Sequence, residues 1–328
     1  MHEILKVENL RVGFDLARGR SHIVNGLDLT LKEGHLIGLV GESGSGKSVA
    51  ASAILGYVRK PGTIEAGKVI FDQTVALHEL GEEELVRYRG KEIGLIAANA
   101  RNHLNPLMTV GEQIANVYMA HNPCKKKEAM ERAVEMLKAV GLTDPEQRAR
   151  AYPHELSGGM AQRCMIAMAL INMPRVLIAD DATNGLDVTV QAQIMDLILQ
   201  LLGQRNMSGI FITHDLGVVA QCCTEIAIMY CGQIVEFASV EQLFEHPVHP
   251  YTRHLLNALP EYRDATVQTA SGEALIDTMN LPEGCLYHPR CPWADKMCTG
   301  EDPGSVEVEP GHLVKCCRTG QTDGKEAS

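Results

Sequence analysis

Between positions 41 and 48 the chain reads Gly41-Glu42-Ser43-Gly44-Ser45-Gly46-Lys47-Ser48. No other stretch limits the fold so tightly. The pattern G-x-x-x-x-G-K-[S/T] carries meaning only when a strand precedes it and a helix follows. Both flanks comply. Leu36-Ile37-Gly38-Leu39-Val40 is an unbroken apolar run, as a strand covered on both faces requires, and Ser48 to Leu55 continues as a helix. Gly41, Gly44 and Gly46 let main-chain N–H groups turn inward around phosphate oxygens. The following helix adds its positive N-terminal end. Lys47 is placed to reach the β- and γ-phosphates, and Ser48 to bind Mg²⁺.

The rest of the pattern predicts an α/β core. Leu5 to Val12 and Leu27 to Leu31 alternate as strands. Val176-Leu177-Ile178-Ala179 and Gly209 to Thr213 are further buried strands, and Ile226–Tyr230 with Gln233–Glu236 reads as a hairpin around Cys231-Gly232. Between them lie helical stretches. Glu128 to Val140 sets Met130, Val134, Leu137 and Val140 on one face and stops at Gly141. Gly159 to Met173 is a largely buried helix ended before Pro174, and Val190 to Leu202 is another. Strands alternating with helices imply a mainly parallel sheet. Ala97 to Asn172 interrupts that alternation as a helical insertion. From Pro247 onward Pro, His, Gly and Cys increase, which suggests a separate small unit.

A chain of 328 residues predicts two compact units. A formal net charge of −11 argues against a nucleic-acid partner. No apolar run approaches the ~20 residues that span a bilayer. The best, Met165 to Met173, carries Asn172 and is too short. The N-terminus lacks a basic region followed by an apolar segment. The chain is therefore read as cytoplasmic, where structural disulfides are disfavoured. Its ten cysteines then need another account.

Asp180 follows the apolar run at Val176 to Ala179, where a carboxylate is well placed to hold Mg²⁺ through water. Upstream stands Leu156-Ser157-Gly158-Gly159-Met160-Ala161-Gln162-Arg163, and downstream Thr213-His214-Asp215. The ordered set resembles the ATP-binding-cassette (ABC) ATPases. That resemblance implies a P-loop NTPase (RecA-like) core at 1–96 and 174–246, a helical signature subdomain at 97–173 and a C-terminal extension at 247–328. ATP and Mg²⁺ would be held by Gly41, Ser43, Gly44, Ser45, Gly46, Lys47, Ser48 and Asp180. Asp181 and His214 would be catalytic. Ser157, Gly158, Gly159 and Gln162, with Asp187 beyond, would close over a nucleotide on the opposite subunit.

Leu104-Asn105-Pro106, Asp187-Val188-Thr189-Val190-Gln191-Ala192-Gln193-Ile194, His214 to Ala220 and His249-Pro250-Tyr251-Thr252 narrow the resemblance to the dipeptide, oligopeptide and nickel importer ATPases. It implies a peripheral subunit on the cytoplasmic face of the membrane. A second ABC ATPase would pair with it, beneath two transmembrane permeases served by an extracytoplasmic substrate-binding protein. The cargo stays open.

Three positions depart from the family pattern. Ala98 stands where a glutamine usually contacts Mg²⁺ and the attacking water; Asn99 lies next door. Asp181 replaces the usual glutamate, shortening its reach by roughly 1.5 Å, and ~1 Å of misplacement can cost on the order of 10²-fold in rate. Ala182 replaces a usual proline, which loosens the turn. All belong to the site built on Lys47. The expectation is slow hydrolysis there and full activity at the partner's site; the alternatives are that Asp181 suffices and both sites turn over, or that the chain is a barely hydrolysing regulatory subunit.

Cys285, Cys291, Cys298, Cys316 and Cys317 cluster near the C-terminus. The stretch Cys285 to Ala294 is similar to the tail of the peptide-importer ATPases, some of which carry an iron–sulfur cluster. The resemblance implies a [4Fe–4S] cluster on Cys285, Cys291, Cys298 and Cys316, with Cys317 as a replacement. Zinc and free thiols remain alternatives, because spacings of five and six residues fit neither a zinc ribbon nor a ferredoxin run. For adenine stacking Phe14 is the nearest aromatic, within or beside a loop expected at Asp15 to Ile23; a core Phe is the other reading.

Overall fold

The computed structural model describes residues 2–263 and 277–319. Its strands are β1 (Glu3–Leu16), β2 (Gly19–Lys32), β3 (Leu36–Val40), β4 (Gly62–Phe71), β5 (Val75–Ala76), β6 (Ile93–Ile96), β7 (Val176–Asp180), β8 (Ser208–Thr213), β9 (Glu225–Tyr230), β10 (Gln233–Ser239), β11 (Val306–Glu309) and β12 (His312–Val314). Its helices are α1 (Lys47–Ile54), α2 (Glu82–Leu85), α3 (Ala100–His103), α4 (Val110–His121), α5 (Lys126–Ala139), α6 (Pro145–Ala149), α7 (Gly158–Leu170), α8 (Val188–Gly203), α9 (Leu216–Cys222), α10 (Val240–Glu245) and α11 (Pro250–Asn257). None is long and apolar enough to cross a membrane among the described residues.

The chain divides into two compact units. The first comprises Met1–Ile4, Leu31–Leu36 and Glu79–Ile212. Here β6, β7 and β8 run parallel, with Ile93 opposite Val176 and Val176 opposite Ser208. Every residue of β7 is buried, as parallel strands covered on both faces require. Helices α3 to α7 fill the segment before β7. On α5 the buried stripe is Ala129, Ala133, Leu137 and, just past its end, Val140. Met130 and Val134, expected on that face, are only half-buried. Leu137 and Val140 are buried as expected, while in the first turns Ala129 and Ala133 take the inward places.

The second unit comprises Leu5–Thr30, Ile37–His78 and Thr213–Ser328. Strand β3 pairs parallel with β9, and β10, β12 and β11 add antiparallel in turn. Strands β1, β4 and β5 form an antiparallel sheet whose order starts from β2. The loop expected from Asp15 to Ile23 is instead largely strand: β1 runs to Leu16 and β2 begins at Gly19. Cys231 and Gly232, at φ 45° and 79°, join β9 to β10. Two successive left-handed residues suit the right-handed twist of a tight hairpin.

The described residues after 247 pack into the core of this unit. Tyr251, Leu256, Leu286 and Tyr287 join Val40, Val219, Ile226, Ile228 and Tyr230 in one hydrophobic cluster. A buried polar group ties down β12. Glu236 and His312 are fully buried, with His312 Nε2 2.7 Å from a Glu236 oxygen. The same carboxylate accepts from Val248 N and His249 N at 2.9 Å. Burial alone would raise this carboxyl, but the bonds from His312 and the two amides hold it below its ordinary value.

His249 itself is buried, and its Nδ1 accepts from Tyr251 N at 3.1 Å to cap α11. Burial lowers its proton affinity from 6.5 to about 4. The folded chain holds it neutral while the unfolded chain protonates near 6.5. Its stabilisation is therefore complete above that pH and is lost as pH falls towards 4, about 3 kcal/mol across the window. The melting temperature is expected to fall over that window. His249→Asn, which keeps a short acceptor for the cap, is expected to flatten the fall. An unchanged slope in the variant would clear His249 of the effect.

Candidate functional site

The phosphate loop follows β3 and leads into α1, as the motif requires. Its glycines have local reasons. A Cβ on Gly41 would lie 2.2 Å from the Met229 carbonyl oxygen, and one on Gly46, at φ 100°, 2.6 Å from that of Ile23. Gly46 is the N-cap of α1; no side chain caps the helix and no acidic residue lies in its first turn. The end of the helix therefore keeps its positive character for an anion.

Lys47 is 8% exposed and folds back over the loop. Its Nζ donates to Gly41 O at 2.7 Å, Glu42 O at 2.9 Å and Ser45 Oγ at 3.1 Å. Gly232 N donates to Ser45 O at 2.8 Å, so the β9–β10 turn supports the loop from below. Ser43, Gly44 and Ser48 face solvent, leaving the open side to a ligand.

Glu42 is the residue that sequence reasoning passed over. Its N–H donates to Tyr251 Oη at 2.8 Å. Its carboxylate takes both Nη atoms of Arg290, at 2.8 and 3.0 Å, and this bidentate bond holds the carboxyl below its usual range against the opposing effect of burial. The available signal was a lone acidic residue inside an anion-binding motif. In the same unit, His214 lies exposed just after β8, and Asp215 caps α9 by accepting from Gly217 N and Val218 N. Phe14 lies against Gly62, its ring atoms 2.6 Å from where a Cβ there would stand; the ring packs on β4, opposite Gly62 in register.

The other unit carries the remaining candidates. Asp180 ends β7 and is 9% exposed. Asp181 takes a left-handed backbone, φ 43°, and its N–H donates to Ile212 O at 2.9 Å. Ala98 is half-buried, and Asn99 beside it is also left-handed at φ 56°. Ser157 caps α7 by accepting from Met160 N at 3.3 Å, and Asp187 caps α8 by accepting from Val190 N at 3.0 Å. Gly158 and Gly159 form the exposed-side first turn of α7, while Gln162 is buried with its Nε2 unpartnered. The Ser48 hydroxyl and Asp180 carboxylate are hard oxygen donors of the type Mg²⁺ takes.

The five C-terminal thiols do gather. Cys285 lies close enough to Cys316, Cys298 and Cys291 to interact with them electrostatically, and the free thiols of Cys317 and Cys298 are in hydrogen-bond contact. Burial pushes Cys285 up to about 11 and Cys317 up to about 12, so both stand as protonated thiols. Yet among the described residues no three His, Cys, Asp or Glu side chains take up the spacing a metal ion needs. The side-chain placement therefore gives no support to the iron–sulfur cluster expected on Cys285, Cys291, Cys298 and Cys316, nor to zinc there.

The phosphate loop, the capped signature helix and the strand-end carboxylates define a P-loop ATPase of the ABC class. The chain matches the ABC transporter family over residues 24–184 and the C-terminal region of oligopeptide/dipeptide transporters over 235–298. It is 41% identical over 322 residues to the oligopeptide transport ATP-binding protein AppD of Bacillus subtilis, covering 96% of this chain and 97% of that one. It is also 41% identical over 314 residues to the dipeptide transport ATP-binding protein DppD of Escherichia coli, covering 95% and 96%. A dimeric post-hydrolysis structure of the ATP-binding cassette MJ0796, bound to ADP and Pi, matches with TM-score 0.65 and 27% identity, over 72% of this chain and 98% of that one. The chain belongs to the ATP-binding subunits of ABC transporters, in the branch that carries the oligopeptide/dipeptide C-terminal region, and is an ATPase.

Proposed function

We propose that the chain energises uptake of peptides, binding ATP and Mg²⁺ through Gly41, Ser43, Gly44, Ser45, Gly46, Lys47, Ser48 and Asp180. The observation that carries this is a fully formed phosphate loop, with Lys47 bonded to its own carbonyls, in a chain whose C-terminal region matches the peptide transporters. The subunit works at the cytoplasmic face of the membrane. It pairs with a second ABC ATPase as a heterodimer, beneath two permeases fed by an extracytoplasmic binding protein.

The two composite sites differ. With Ala98 and Asp181, the site on this chain holds nucleotide and turns it over slowly. Asp181 polarises the attacking water from a shorter side chain, His214 contacts the γ-phosphate, and Ala98 offers no amide to the metal or water. Ser157, Gly158, Gly159 and Gln162, with Asp187, complete the partner's site, which hydrolyses at full rate. In the purified assembly, replacing the partner's catalytic carboxylate by its amide is expected to remove most ATP hydrolysis and peptide uptake together. Undiminished hydrolysis would contradict the asymmetry, and a silent unmutated assembly given peptide would contradict the peptide reading.

A further inference from the structure

Glu42 is an anomaly within its own motif. A loop built to bind a triphosphate carries a carboxylate as its second residue, about one-third exposed. Such a charge opposes anion binding unless it is cancelled. The structure cancels it with Arg290. The guanidinium forks onto both carboxylate oxygens and is itself held in a pocket of rings. Its carbon stands 5.7 Å from the Tyr230 ring centroid and 5.9 Å from that of Tyr287, and those rings contact each other and Tyr251. The turn bearing Arg290 is closed by His288 N to Cys285 O, Arg290 N to Tyr287 O and Cys291 N to His288 O. The other basic side chains facing Glu42 are His254, 3.9 Å away, and Lys47. Lys47 is already committed to the loop carbonyls.

We propose that Arg290 is a positioning residue for nucleotide: by pairing with Glu42 it fixes the phosphate loop and neutralises the carboxylate that would otherwise repel the triphosphate. This rests on the reading of the loop as the ATP site. The C-terminal extension thereby becomes part of the nucleotide site without touching the nucleotide. A planar fork is needed, because Lys would supply the charge without holding both oxygens.

The test titrates the full chain with a fluorescent ATP analogue and measures KM and kcat of the Lys47 site in an assembly whose partner carries the amide in place of its catalytic carboxylate. Arg290→Gln is expected to weaken ATP affinity and raise KM on the order of tenfold with kcat within about twofold, the signature of lost uniform binding. Arg290→Lys should fall between. The Glu42→Gln/Arg290→Gln pair should return to within about twofold of the parent, because removing both charges leaves none stranded. A double variant as weak as Arg290→Gln would reduce Arg290 to packing, and a single variant indistinguishable from the parent would end the proposal. Should Arg290→Gln fail to fold, Arg290→Lys decides: it keeps the charge but not the fork onto both oxygens, so it should bind ATP more weakly than the parent, and binding equal to the parent overturns the idea. If the parent binds no better than Lys47→Ala, the ATP reading itself has failed; if the parent binds and Lys47→Ala does not, only the role of Arg290 is at stake.

Discussion

Lys47→Ala is expected to abolish nucleotide binding at this site, lowering ATP affinity by at least about 10²-fold, which corresponds to about 2.7 kcal/mol. Two losses combine. The ammonium is the cation aimed at the β- and γ-phosphates, and it makes three hydrogen bonds that give the loop its curvature. Bonds from a charged donor are roughly twice as strong as neutral ones. The fold should survive, since the loop keeps the bonds from Gly232 N to Ser45 O and from Glu42 N to Tyr251 Oη. Equilibrium titration with a fluorescent ATP analogue, beside a melting curve to confirm folding, measures the effect. Binding within threefold of the parent in a folded variant would remove Lys47, and with it the loop, as the nucleotide site.

Such a prediction was available from residues 36 to 55 alone, because strand, loop and helix are local and each has its own pattern. The apolar run at Leu36 to Val40 is β3 as read, and α1 starts one residue before its predicted start. Val176 to Ala179 likewise announced β7, with Asp180 at its end. The ordered motifs carried the family. What escaped was decided by contacts between distant segments. The inward face of α5 went to Ala129 and Ala133 rather than to Met130 and Val134, because close packing favoured small side chains over the more hydrophobic pair. Glu42 and Arg290 are 248 positions apart, and no periodicity links them. Pro, His and Cys enrichment after residue 247 looked like a separate unit, but Tyr251, Leu286 and Tyr287 are spent in the core under β3 and β9. The ligand set for the C-terminal cysteines came from the family resemblance and not from their spacing, and among the described residues no metal-holding group of three forms.

If the Lys47 site turns over slowly, as proposed, restoring the family's side chains should speed it. Asp181→Glu adds one methylene, and a carboxylate ~1 Å out of place loses on the order of 10²-fold. The backbone works against a full recovery in the single variant. Asp181 is left-handed at φ 43°, a conformation that Asp and Asn adopt more readily than longer residues. Its N–H to Ile212 O and the Asn184 N to Asp181 O bond hold that turn in place, so the glutamate must accept it. Asp181→Glu alone is therefore expected to raise turnover about tenfold. Adding Ala98→Gln supplies an amide that can accept and donate to the metal-bound water and should bring the total to about 10²-fold, within the range general-base catalysis provides. The count is made in an assembly whose partner carries the amide in place of its catalytic carboxylate, so that only the Lys47 site is measured. Turnover within twofold of the parent for both variants, with ATP binding intact, would mean that neither residue limits this site and that its chemistry is already complete with Asp181.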